Sequence, residues 1–457
     1  MRFVVIGITD NPKPFFQPEV LDVIRHGRVF SGGKRHHELV ASLLPEDAQW
    51  IDITVPLDNV FEQYRAISKQ VIIFASGDPL FFGFANTIRR EMPDAEITVY
   101  PSFNSLQLLA HRLVMPYHDM RIVSLTGRPW PEFDRALIER TPKIGILTDR
   151  EHTPAAIARR MLDYGYTYYN IYVGEHLGNP EQERISRMTL NEAAEREFSM
   201  PNCVIISRYE VQGTRYENRP ASKTDLAPRT SHLVPRYYGI PDAAFTLLDG
   251  REKMITKMPI RLLSLQALDL PRRHVLWDIG FCTGSISIEA RLLFPHLQIE
   301  AFEIRPECEA IIRENARRFG APGINVHIGD FMAYDLAPRT TLGTDGHGCT
   351  RISNLVPRTS YLAPRTHTPH PEPLISPDAV FIGGHGGRLK EMMAKVKDYL
   401  APGGIIVMNS VKAPKVPTDS HRLWDEACAE LGLLQEPPLH IQLNDHHPIT
   451  ILKCRKE

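Results

Sequence analysis

Apolar residues in this chain gather into short β-branched runs, separated by polar loops and by stretches of helical period. Residues 3–8 form such a run and lead into the polar Thr9-Asp10-Asn11-Pro12. That pattern predicts a buried strand entering a loop at the edge of a parallel sheet. Similar runs recur at 71–75, 96–100, 121–125, 143–147, 170–173 and 203–207, with helix-like segments between several of them, as at 105–113 and 154–164. Such alternation predicts an α/β class with mostly parallel sheets. The Met115-Pro116 region is the expected border between two α/β lobes. The alternation restarts with strands expected at 275–279, 298–303, 325–328, 379–382 and 405–409. Helices are expected at 285–293, 306–319 and 388–400, completing one doubly wound unit.

Two stretches break the pattern, residues 218–236 and 336–377. Both carry copies of Leu-(Ala/Val)-Pro-Arg, starting at Leu226, Leu233, Leu336, Leu355 and Leu362. Frequent proline interrupts helices and central strands, so these read as exposed, partly extended linkers. A Pro/Arg docking peptide is the functional alternative.

Length and composition narrow the picture. The 457 residues suggest about three folding units. A hydrophobic content of 43% excludes wholesale disorder. Lys+Arg number 53 against 54 Asp+Glu, a net charge of −1. This speaks against a protein that coats nucleic acid, while leaving room for a local basic cleft. The 37 prolines are about 8% of the chain, above the usual ~5%. Six cysteines (203, 282, 308, 349, 428 and 454) show no CxxC spacing, so neither a zinc knuckle nor a disulfide framework is expected. A reducing, cytoplasmic location fits. The N-terminal MRFVVIGITD does not read as a secretory signal. No run approaches the ~20 apolar residues of a membrane helix, which predicts a soluble chain. The pairs His36-His37 and His446-His447 are discounted as metal ligands because adjacent side chains point apart.

Candidate chemistry begins at residues 276–284, Leu-Trp-Asp-Ile-Gly-Phe-Cys-Thr-Gly, between an expected strand and a helix. Gly280 permits a sharp turn and Gly284 a close backbone approach, and the helix start presents free N–H groups. Glu303 ends the next strand, and Asp330 follows the one after. A dinucleotide site would ask for G-x-G-x-x-G around a pyrophosphate. Here an acid, Asp278, precedes the first glycine, a better neighbour for the cationic amino acid end of S-adenosyl-L-methionine. Glu303 and Asp330 then suit ribose and adenine. A plain α/β turn with incidental acids is the bland alternative.

This ladder resembles the class I S-adenosylmethionine-dependent methyltransferases, with Asp278, Gly280, Thr283 and Gly284 matching and Cys282 replacing the middle glycine of D-x-G-x-G-T-G. With Gly239-Ile-Pro-Asp, Met254-Ile-Thr-Lys257, residues 283–290 and Phe381-Ile-Gly-Gly384, it looks like the C15-methylating, decarboxylating domain of cobalamin biosynthesis. That resemblance implies Thr256 and Lys257 at the cofactor and substrate, with His385 and Asn409 at strand ends facing substrate. In the first half, Gly32-Gly33-Lys34-Arg35, residues 76–83 with Gly77-Asp78-Pro79, residues 101–105, Leu125-Thr126-Gly127-Arg128 and residues 174–178 occur in order. The set resembles the tetrapyrrole (class III) methyltransferases, nearest to the C5-methylating branch. It implies two lobes with S-adenosylmethionine in the cleft, held by Gly77, Asp78, Ser102, Thr126 and Gly127. The opening G-x-G-P-G of that family is replaced by Gly7-Ile8-Thr9-Asp10-Asn11, and Asn104 stands where Ser is common.

The fold implied is a two-lobed tetrapyrrole methylase domain at 1–210 (lobes about 1–115 and 116–210), a Pro/Arg linker at 211–236, and a Rossmann-like class I methyltransferase domain at 237–457 with an insertion at 336–377. The substrate implied is a precorrin, with or without cobalt, fringed with carboxylates. Lys34, Arg35, Arg128, Lys257 and Arg388 are the candidate cations for it, since guanidinium meets carboxylate bidentately. The activity implied is C-methylation at C5 and C15 with loss of CO2 from the ring-C acetate; the sequence names no proton-handling residue. Relatives of both halves commonly self-associate, so a homo-oligomer acting on neither nucleic acid nor membranes is expected. Two alternatives stay open. One is a class I methyltransferase for nucleic acid or a small molecule with an accessory first half; no Asn/Asp-Pro-Pro-Tyr follows the fourth strand, where Phe381-Ile-Gly-Gly stands. The other is a non-catalytic cofactor-sensing module, suggested by Asn11 and Cys282.

Overall fold

The computed structural model describes residues 1–67, 69–208, 239–251, 254–334, 343–344, 350–351, 375–411, 420–443 and 448–457. The five Leu-(Ala/Val)-Pro-Arg copies, Cys349 and the His446-His447 pair lie outside the described residues. Among the described residues, no helix is long and apolar enough to cross a membrane.

The first sheet contains β1 (Arg2–Ile8), β2 (Val29–Gly32), β3 (Gln49–Asp52), β4 (Gln70–Ser76) and β5 (Glu96–Tyr100), in the order β3-β2-β4-β1-β5. Every pairing in it is parallel. β1 is central and buried on both faces: Phe3 and Val5 enter one core, Val4, Ile6 and Ile8 the other. Its unbroken apolar run reflects that position. Helices α1 (Pro18–His26), α2 (Lys34–Val40), α3 (Asp58–Arg65) and α4 (Phe84–Glu91) connect these strands.

The helix α5 (Ser105–Arg112) begins at Asn104, whose side chain accepts from Gln107 N while Gln107 closes a capping box. Leu106 and Leu109 of α5 pack with Tyr172, Cys203 and Ile205 of the second sheet. The chain therefore crosses between the sheets ahead of α5, not at Met115-Pro116. The second sheet contains β6 (Arg121–Ser124), β7 (Lys143–Leu147), β8 (Tyr169–Glu175), β9 (Arg184–Met188) and β10 (Asn202–Arg208), ordered β6-β7-β10-β8-β9. Helices α6 (Pro131–Ile138), α7 (Pro154–Asp163) and α8 (Leu190–Ala194) accompany it. Only β6 and β7 pair in parallel; β10 runs antiparallel to β7 and β8, and β9 to β8. The expectation of mostly parallel sheets fails here. The connection 176–183 is too short for a crossover, so β9 must return antiparallel.

The third sheet starts after α9 (Met258–Ala267). It takes β11 (Val275–Ile279), α10 (Ser285–Leu293), β12 (Gln298–Glu303), α11 (Glu307–Phe319) and β13 (Ile324–Ile328). The two-residue strands β14 (Gly343–Thr344) and β15 (Thr350–Arg351) pair only with each other. The sheet resumes with β16 (Ala379–Ile382), α12 (Leu389–Tyr399), β17 (Ile405–Val411), α13 (Ser420–Leu431), β18 (Leu434–Gln435), β19 (Leu439–Ile441) and β20 (Ile449–Arg455). Its order is β13-β12-β11-β16-β17-β20-β18, with β20 antiparallel to β17 and β19 attached to β20. Strand order reverses between β11 and β16, and such a switch point opens a crevice at the carboxyl ends of the strands.

The second and third sheets meet through side chains. Tyr166 donates its buried hydroxyl to the Gly320 carbonyl at 2.7 Å. Nearby, a Cβ added at Gly323 would fall 2.8 Å from Arg291 Nη2 and 3.0 Å from Asp134 Oδ2. Asp134 itself accepts both Nε and Nη2 of Arg160 at 2.6 Å.

Candidate active sites

At the carboxyl end of β1 three loops interlock. A Cβ on Gly7 would lie 2.0 Å from Gly77 O and 2.7 Å from Ser102 N, so only glycine lets them meet. Gly77 takes φ +63°, and Asp78 Oδ1 accepts from Leu80 N at 2.9 Å. Gly77, Asp78 and Ser102 are thus brought together. Across the cleft, Thr126 Oγ1 donates to Thr148 O, and Gly127, at φ +61°, donates its N–H to Asp149 at 2.9 Å. Arg128 Nη1 donates to Ser124 Oγ at 2.8 Å, and its guanidinium lies 5.3 Å from the Phe82 ring centre. Loss of water around Arg128 draws its pKa below the usual value. Between the lobes is a cavity of about 320 Å³ lined by Leu80, Phe82, Asn86, Thr87, Arg90 and Arg128.

Beside these loops lies a polar network that the sequence did not reveal. Asp10 Oδ1 accepts from Arg35 Nη1 at 2.8 Å, and Asp10 Oδ2 lies 3.1 Å from His176 Nδ1. Arg35 Nη2 also reaches Ser76 Oγ at 3.0 Å, as does His36 Nε2 at 2.9 Å. Burial, then the charge of Arg35, lowers the His36 pKa to about 4. Arg35 is therefore committed to Asp10 and Ser76, while Lys34, next to it, is exposed.

In the second half, Gly280 (φ +79°) abuts the β16 loop: a Cβ there would sit 2.8 Å from Gly384 N. A Cβ on Gly284 would strike Ile312 at 2.3 Å. Cys282 holds φ +50° without being glycine. Asp278, buried at the end of β11, accepts from Ser287 N and Oγ, and burial pushes its pKa up to about 7. Its Oδ1, like Thr283 Oγ1, is buried with no hydrogen-bond partner among the described residues. Glu303 is already crowded. It accepts from Cys282 N, Ile304 N and Arg305 N, and from Arg305 Nε and Nη2. Asp330 accepts from Met332 N and from Arg388 Nη2 at 2.9 Å, which holds it below the usual carboxylate range.

The other predicted residues spread around this crevice. Thr256 offers its carbonyl to Arg261, and Lys257 Nζ lies 3.9 Å from Asp242. His385, its pKa lowered by burial, sits between Ser420 Oγ and Gly387 N. Asn409 accepts from Ser264 Oγ at 3.0 Å. Of the five cations expected to meet substrate, Arg35, Lys257 and Arg388 already face carboxylates of the protein. The anchor behind the second site is Arg261, fully buried against Glu289, which also accepts from Gly239 N and Ile240 N. Glu289 lies inside a motif the sequence exposed, yet only the packing reveals what it binds.

Comparison with known proteins gives the following. Residues 18–194 match the family described as tetrapyrrole (corrin/porphyrin) methylases, and residues 248–337 match the precorrin methyltransferase domain. A Sinorhizobium protein named precorrin-6Y C(5,15)-methyltransferase [decarboxylating] is 31% identical over 89% of this chain and 84% of its own length. A Salmonella typhi cobalt-precorrin-6B C(15)-methyltransferase (decarboxylating) is 30% identical, covering 46% of this chain and 93% of its own. A Salmonella typhimurium cobalt-precorrin-7 C(5)-methyltransferase is 26% identical, covering 44% of this chain and 96% of its own.

Proposed function

The chain belongs to the precorrin-6Y C(5,15)-methyltransferases (decarboxylating), and on that footing we propose that it methylates a precorrin twice from S-adenosyl-L-methionine, in cobalamin biosynthesis. The second half, 237–457, methylates C15 and releases the ring-C acetate as CO2. The first half, 1–210, methylates C5, giving a precorrin-8-level product. The observation that carries this is the crevice at the end of β11, where Asp278 Oδ1 and Thr283 Oγ1 are buried with no hydrogen-bond partner among the described residues. An acceptor and a hydroxyl left unsatisfied there fit the ammonium and carboxylate of an amino acid ligand.

Asp278, Gly280, Thr283, Gly284 and Thr256, with Glu303 and Asp330 further out, would hold one cofactor. Gly77, Asp78, Ser102, Thr126 and Gly127 would hold the other. Bound there, S-adenosylmethionine supplies a methyl group on a positive sulfonium. The residues around it need mainly to place an electron-rich ring carbon in line, because positioning accounts for much of such a rate. Arg128 suits a ring carboxylate, since its own protein partners are neutral oxygens. Lys34, His385 and Asn409 would complete the substrate side, and Arg35, Lys257 and Arg388, which already face carboxylates of the protein, would reach the ring only by exchanging partners. Holding the acetate carboxylate while its bond to the ring breaks is work for such charge-assisted bonds. The five described cysteines are buried free thiols, which supports a reducing, cytoplasmic setting. Self-association belongs to the same reading.

The test is incubation with methyl-labelled S-adenosylmethionine and a reduced precorrin. Two methyl groups per ring and one CO2 are expected; absence of both overturns the reading. Asp278→Ala should stop C15 methylation and CO2 release, and Gly77→Arg only the C5 step. Loss of C5 methylation of an already C15-methylated ring in folded Asp278→Ala, or of C15 methylation in folded Gly77→Arg, would overturn the division of labour. A cobalt-loaded ring is the second reading, favoured by the names of the Salmonella relatives, and the same assay with that substrate decides it.

A further inference from the structure

Methylating C5 replaces its hydrogen, so a proton must leave, and the first-half cleft contains a histidine–carboxylate pair drawn from both lobes. His176 follows β8, and its Nδ1 lies 3.1 Å from Oδ2 of Asp10, which follows β1. The Asp10 side chain is only 10% exposed, and Arg35 anchors its other oxygen. With Nδ1–H donated to Asp10, His176 Nε2 carries the lone pair. The backbone holds this arrangement at a cost. His176 has φ +48°, and its N–H donates to Pro201 O at 2.9 Å. Left-handed geometry is unfavourable for a non-glycine residue, and such strain gathers at functional sites. Two residues on, a Cβ added at Gly178 would come 3.0 Å from Thr9 Cβ, so the segment is clamped against the loop that carries Asp10.

We propose that His176, oriented by Asp10, is the proton acceptor of C5 methylation; this rests on the functional reading above. The C5 carbon forms its bond to methyl with a π electron pair of the ring. The methyl–sulfur bond breaks with its pair left on sulfur. The C5 proton passes to Nε2, the ring pair is restored, and the imidazolium is stabilised by Asp10 until it releases the proton to water. The other charged groups near the pair are Arg35, bonded to Asp10; His36, facing Ser76; and Glu175, which accepts from Ser199 N and lies 4.0 Å from Arg196.

The full chain is assayed on a C15-methylated, decarboxylated precorrin, with C15 methylation of the earlier substrate reporting that each variant is folded. His176→Gln should lower kcat for C5 methylation by about 10²–10⁴-fold with little change in KM, and remove the acid limb of its pH profile. Added imidazole should partly restore His176→Ala, and Asp10→Asn should lower kcat less than His176→Gln. A His176→Gln enzyme with wild-type kcat, or one changed only in KM, overturns the proposal alone. No C5 methylation by the wild-type chain overturns the functional reading and the proposal with it.

Discussion

Asp278 is where one residue's chemistry reaches furthest. Burial pushes its pKa up to about 7, against about 3.9 for an unfolded aspartate. Between those values the folded chain keeps a proton that the unfolded chain has lost. Stability should therefore fall as pH rises from about 4 to about 7, and stay low above that. Asp278→Asn should flatten this slope, as read by urea unfolding at pH 5 and pH 8; an equal slope in both proteins would refute the assignment. A ligand ammonium beside the carboxylate opposes the penalty, so S-adenosylmethionine should stabilise the wild type more at pH 8 than at pH 5. The three strand-end acids were readable from spacing alone. Their states were not, because Arg305 beside Glu303, Arg388 beside Asp330 and the lack of a hydrogen-bond partner for Asp278 Oδ1 among the described residues are matters of packing.

At the scale of elements, α9 and α10 are joined by the Arg261–Glu289 pair, which also binds the segment 239–242 to the second site. Removing one partner leaves a buried charge unpaired. Arg261→Met should cost about 3–5 kcal/mol, measured by denaturant unfolding, and should loosen the segment carrying Thr256 and Lys257. Elements with long apolar runs, such as β11, β12 and α10, were readable to the residue. β2 (Val-Phe-Ser-Gly) and β3 (Gln-Trp-Ile-Asp) hold only two apolar residues each, so no run registered, whereas the equally short β16 (Ala-Val-Phe-Ile) is apolar throughout. The antiparallel returns of β9 and β10 also escaped, because apolar runs do not encode the direction in which a strand pairs.

Across the whole molecule, the halves are coupled by Tyr166 and the cluster around Asp134, Arg160, Arg291 and Gly323. Tyr166→Phe leaves the Gly320 carbonyl without its buried donor, at a cost of about 1–3 kcal/mol. Calorimetry should then show the two halves unfolding at more widely separated temperatures than in the wild type. An unchanged single transition would mean that the contact does not couple them. Residues 218–236 and most of 336–377 lie outside the described residues.

The sequence alone determined the α/β class, the two methyltransferase halves and most of the strand-end loops that make up the two candidate sites. Those features rest on local signals: β-branched runs, glycines at strand ends, and acids at regular intervals. Tertiary structure decided which candidate cations were already neutralised, which buried oxygens were left unsatisfied, and that Asp10 and His176 meet although they stand 166 positions apart. Pairing across such a distance is set by how two lobes pack, and no local pattern carries it.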